Sequence, residues 1–177
     1  MSEPAPSRAL KGRGILDDPL VGELLAARLV GVLSTLEPDG SVHSVALWFA
    51  SRGGAIVFAT GSRSRKVRNL ERDPRATVVL HDSRPGFEVC GASIRGAVEI
   101  FRGAVAQPFV TLVHDRYVTA EGQSLPAPAS FLASDDVALV LWPETAVTWD
   151  ERGGDAAEEL RRTGAARPLE PTAPRPT

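Results

Sequence analysis

The 177-residue chain has one cysteine, Cys90, so no internal disulfide can form, and the thiol lies in an alternating apolar run rather than beside a histidine. A reducing, cytoplasmic setting is the expectation. No apolar run approaches the ~20 residues of a membrane helix. The opening MSEPAPSRALKGRG lacks the apolar centre of a signal peptide. A formal net charge of −2 gives no global attraction for nucleic acid or an anionic membrane, and a 6% aromatic content offers few stacking platforms. Neither partner is expected. Motifs for nucleophilic catalysis, zinc, nucleotide phosphates and dinucleotides are missing, so no metal and no catalytic residue is named. Lysine occurs only at Lys11 and Lys66.

What is present organises into one domain. Residues 1–16 and 151–177 are rich in Pro, Gly, Ala and Arg without an apolar period, and read as disordered ends around a folded region over 17–150. Asp18-Pro19 pairs an N-cap residue with proline at the first helical position, so a helix is expected over roughly 19–28. Strands follow in LVGVLSTL, SVHSVALWFA, AIVFAT, RATVVLHD, FEVCGASIRGAVEIF and DDVALVLWPETAVTWD, the last interrupted at Pro143. Asp39-Gly40 and Gly53-Gly54 supply hairpin turns. Helices fit 63–72 and 104–117, with a polar loop over 118–133. The expected class is α+β, a six-stranded, mostly antiparallel split β-barrel with a few peripheral helices.

The segment ATGSRSRKVRNL carries the clearest chemistry. A strand ends at Thr60 and a helix begins within a few residues, where backbone N–H groups lack intrahelical acceptors and the dipole is positive. Thr60, Ser62 and Ser64 bring hydroxyls there, and Arg63, Arg65, Lys66 and Arg68 bring cations. Cations at a helix N-terminus are unfavourable unless an anion is present, so the pattern points to a phosphate cradle. The alternative is a solvated basic turn with Ser62 as a plain cap. The histidines His43, His81 and His114 are far apart and read as surface or satisfied side chains.

The succession GVLSTLEPDGSVHSVALWF, AIVFATGSRSRKVRNLERDPRATVVL and FEVCGASIRGAVEIF resembles the pyridoxamine 5'-phosphate oxidase-like split barrels over most of residues 29–101. In that family a strand-ending threonine and the lysine of an SRK triplet stand six positions apart, as Thr60 and Lys66 do. The resemblance implies that Ala59, Thr60, Ser64, Arg65 and Lys66 approach a cofactor phosphate. It also implies that Val45, Ala46, Leu47 and Trp48 lie along the ring system, and that a homodimer forms two sites between its subunits.

Two departures narrow the activity. Val45 stands where true vitamin B6 oxidases have a phosphate-binding arginine, and the C-terminal Arg-x-His segment for substrate phosphate is missing. Vitamin B6 oxidation is therefore not expected. The pattern is closer to the compact branch using FMN or the deazaflavin coenzyme F-420, whose phosphodiester and oligoglutamate tail would suit Arg63, Arg68 and Arg72. The expected function is an FMN- or deazaflavin-dependent oxidoreductase passing a hydride to a small conjugated substrate. The alternative is a non-catalytic FMN, deazaflavin or haem binding protein, with His43 as the histidine on the pocket strand.

Overall fold

Asp18 and Pro19 start a helix as their chemistry dictates. In the computed structural model, which describes residues 7–12, 14–84, 88–126, 129 and 135–167, helix α1 spans Pro19–Ala26. Asp18 Oδ1 accepts hydrogen bonds from the Leu20 and Val21 N–H groups at 3.1 and 3.3 Å. The helix buries Val21, Leu24 and Leu25 against the sheet.

The strands are β1 (Arg8–Lys11), β2 (Gly31–Leu36), β3 (Val42–Leu47), β4 (Phe49–Arg52), β5 (Ala55–Gly61), β6 (Arg75–Arg84), β7 (Glu88–Phe101) and β8 (Asp136–Asp150). They form one antiparallel sheet in the order β3-β2-β6-β7-β8-β5-β4, with β1 added along β8. The first and last strands of that path are separated in sequence by Trp48 alone, so the sheet must curl until its two ends meet. Eight strands replace the expected six for two reasons. The segment SVHSVALWFA divides at Trp48 between opposite ends of the path, and the N-terminal segment finds backbone partners on β8. The last strand does not split at Pro143. It runs through all 15 residues of β8, and Pro143 stands at the register shift opposite Gly96, where the ladder is already irregular. A Cβ on Gly96 would lie 1.9 Å from the Trp142 carbonyl oxygen, so only glycine lets the two strands approach there.

Helices α2 (Arg65–Arg72), α3 (Gln107–Tyr117), α4 (Ala120–Gln123) and α5 (Asp155–Thr163) follow α1 in the chain. Pro108 falls in the first turn of α3, where its missing N–H costs nothing. Regular structure therefore reaches into both segments read as disordered, by means that apolar periodicity does not record. The β1 strand is held by its ladder to β8. Helix α5 is held by buried Ala157 and by Arg161, which bonds Glu88 at 2.8 Å. Residues 1–6 and 168–177 lie outside the described residues.

The core is two-sided. Inside the curl, Leu33, Phe49, Ile56, Phe58, Leu80, Ile94, Leu139 and Leu141 pack with α1 and α2. On the outer side, Ala50, Ala55, Val57 and Val140 pack under Val113 of α3. Strand β5 and the first half of β8 are thus buried on both faces, each large apolar side chain contributing about 1.5–3 kcal/mol. Among the described residues no helix is long and apolar enough to cross a membrane.

Candidate functional site

The β5–β8 pair ends in polar residues. Ladder pairs Thr60↔Val137 and Gly61↔Asp136 close it, and the chain then turns through Ser62 and Arg63 into α2. Ser62 ties this turn down: its N–H donates to the Asp135 carbonyl at 2.9 Å and its hydroxyl to the Asp135 carboxylate at 2.5 Å. Ser64 takes the N-cap position with extended backbone, but its hydroxyl caps nothing. That oxygen is buried without a hydrogen-bond partner.

Lys66 is the main departure from a solvated basic turn. Only 8% of it is exposed, and Nζ donates to Thr60 Oγ1 at 2.8 Å. The six-residue spacing thus brings one strand end and one first helical turn into contact. Burial pushes the Lys66 ammonium below its usual range, and Asp136 acts in the opposite direction. Asp136 is 5% exposed and His114, from α3, is 3% exposed. His114 Nε2 lies 3.9 Å from Asp136 Oδ2. Burial also lowers the His114 pKa, against Asp136 and then Asp115.

Arg65 points away from this buried corner into an open groove of about 610 Å³ between α2 and the 37–41 turn. It lies 3.7 Å from Glu37 Oε1. Arg68 and Arg72 line the same groove and bond the carbonyls of Arg63 and Leu36. Glu71 and Asp73 pair with Arg102 and Arg75 rather than with these arginines. Asn69 faces inward and donates to Thr35 Oγ1 at 3.1 Å, fixing α2 on β2.

Of the residues singled out in the sequence, Ala59, Thr60, Ser64 and Lys66 gather at the β5–α2 turn. Val45, Ala46 and Leu47 lie on the other edge of the path, opposite Leu33, Val32 and Gly31 of β2. Trp48 joins the two groups. It is 41% exposed, stacks on Tyr117 at 4.9 Å with an interplanar angle of 4°, and sets its ring edgewise to His114 at 6.4 Å. Tyr117 is itself anchored, its hydroxyl donating to the Leu29 carbonyl at 2.6 Å. Asp136 escaped the sequence reading, and His114, read there as a surface or satisfied histidine, is buried beside a carboxylate. The available signal was an acidic pair, Asp135-Asp136, directly before an apolar strand.

Residues 18–150 match the family model described as pyridoxamine 5'-phosphate oxidase. The chain belongs to that family. A conserved hypothetical protein from Mycobacterium tuberculosis has a similar structure at 25% identity, over 89% of this chain and 92% of that one, with a TM-score of 0.65. An F-420 reductase is similar at 29% identity, over 70% of this chain and 93% of that one, with a TM-score of 0.55. A haem storage protein from Vibrio cholerae shares the fold at 15% identity, over 74% of this chain and 94% of that one, with a TM-score of 0.59. No curated protein matches the chain.

Proposed function

We propose that this member of the pyridoxamine 5'-phosphate oxidase family is an oxidoreductase using FMN or the deazaflavin coenzyme F-420, with the cofactor phosphate held at the start of α2. The observation that carries this reading is the buried pairing of Lys66 with Thr60 beside the orphaned Ser64 hydroxyl. Leaving a buried hydroxyl unmade costs about 1–3 kcal/mol, and an anion at the helix start supplies the missing partner. The donor set fits a phosphate: first-turn N–H groups, one hydroxyl, one oriented ammonium and Arg65 at the rim. The similarity to an F-420 reductase supports the deazaflavin branch, and Arg68 and Arg72 in the adjoining groove suit an anionic extension beyond the phosphate.

When bound, the cofactor supplies the hydride chemistry. The chain's part is to orient and to exclude water. Thr60 aims Lys66, and Ser62 with Asp135 fixes the turn. The Tyr117-backed face of Trp48 is a flat apolar wall for a ring system, next to Val45, Ala46 and Leu47. A homodimer belongs to this reading, because β3 leaves one face exposed and the other only half-buried, and a second subunit would cover it. Titration with FMN and with coenzyme F-420, followed by absorption and light scattering, tests the proposal. Saturable binding with a dimeric mass supports it. A haem Soret band in the purified protein, with neither flavin nor deazaflavin binding, would replace it with the haem-binding alternative.

A further inference from the structure

Lys66 does not meet an incoming anion as a bare cation. Asp136 faces the same turn, since a Cβ on Gly61 would lie 4.0 Å from its Oδ1. Asp136 and Lys66 are both buried, and His114 closes the corner from α3 at 3.9 Å from the carboxylate. His114, held below its ordinary range by burial, adds no positive charge near neutral pH. One ammonium and one carboxylate therefore leave this buried wall without net charge. At the rim, Arg65 stands against Glu37.

Resting on the phosphate-cradle reading, we propose that Asp136 is a specificity-determining residue that makes the site favour a phosphodiester, with one negative charge, over a phosphomonoester, with two. A first negative charge is met by the helix N-terminus, the Ser64 hydroxyl and Lys66. A second one has no further buried cation among the described residues to meet it. It faces the Asp136 carboxylate instead, across a medium of low effective dielectric where like charges a few ångströms apart repel strongly. The groove continuing past Arg65 leaves room for whatever the second ester bond carries.

The charged groups around this corner are Lys66 of α2, Asp136 of β8, His114 and Asp115 of α3, and Asp135, with Arg65 and Glu37 at the rim. A charge facing the site acts more strongly on a dianion than on a monoanion, so the informative quantity is the ratio of the two affinities.

The test uses the full chain with two probes sharing one ring system, FMN and its phosphate methyl ester. At about pH 8, FMN is a dianion and the ester a monoanion, and the ester should bind about tenfold more tightly. Near pH 5.5 the second FMN phosphate proton is largely bound and the ratio should fall below about threefold. Asp136→Asn should strengthen FMN binding at the higher pH and abolish the preference. Tighter FMN than ester binding at the higher pH, or a preference unchanged in Asp136→Asn, overturns the proposal. If that variant does not fold, the parent's ratio and its pH dependence decide. Failure of both probes to bind, or binding indifferent to Lys66→Met, removes the phosphate cradle itself. Lys66-dependent binding without the preference removes only the role of Asp136.

Discussion

Strands β3 and β5 are built from similar apolar and small residues, VHSVAL and AIVFATG, yet β3 leaves one face exposed and the other half-buried while β5 is covered on both. The difference is position. Strand β5 lies between β4 and β8 with the barrel interior on one side and α3 on the other, whereas β3 ends the path and pairs only with β2. Strand β5 and the facing half of β8 are buried on both faces, and the polar end of the pair is where Thr60, Lys66 and Asp136 converge. Strand β3 exposes Val42, Ser44 and Ala46 on one face, with Trp48 just past its end.

Breaking each strand in turn exposes the contrast. Phe58→Ala, in the fully buried middle of β5, should lower stability by about 3–5 kcal/mol in urea unfolding. Gly96→Ala, which forces a side chain against the Trp142 carbonyl, should cost about 1–3 kcal/mol by the same measurement. Val42→Ala on β3, where the residue is 64% exposed, should change unfolding of the isolated subunit by less than about 0.5 kcal/mol. It should weaken subunit association in sedimentation if β3 meets a partner. A Val42→Ala effect as large as that of Phe58→Ala would erase the contrast.

A pH series sharpens the comparison at the end of β5. Burial lowers the His114 pKa from the ordinary 6.5, so the unfolded chain takes up a proton on acidification before the folded one does. Stability rises with pH wherever the unfolded state binds more protons, so it is lost as the pH falls below about 6.5. His114→Asn should flatten that part of the slope in urea midpoints between about pH 5 and pH 7.5. An unchanged slope would show that other groups set it.

Much of the fold is legible in local chemistry. The Asp18-Pro19 cap, the Asp39-Gly40 and Gly53-Gly54 turns and the alternation of β7 identify elements before any contact is known, because each acts over a few residues. The Thr60 to Lys66 spacing is visible as part of the family resemblance, whereas the contact between the two side chains comes from the structure. What stays hidden is non-local. The division of VALWFA at Trp48 depends on barrel closure, and β1 depends on a free edge of β8. Asp136 and His114 meet only after β8 and α3 are assembled, so neither shows in a linear motif. The burial of Lys66 does not show in the sequence either.

The measurement that tests the account most directly is titration of Lys66→Met with FMN and coenzyme F-420, beside the parent and Arg72→Ala. Lys66→Met keeps the aliphatic stem and removes only the ammonium. Loss of one charge-assisted contact of about 1.5–3 kcal/mol should weaken cofactor binding roughly tenfold to a hundredfold. Arg72, more than a turn further along α2 and bonded to the Leu36 carbonyl, should matter far less for FMN. Parent-like affinity of a folded Lys66→Met for both cofactors would contradict a phosphate site at the start of α2.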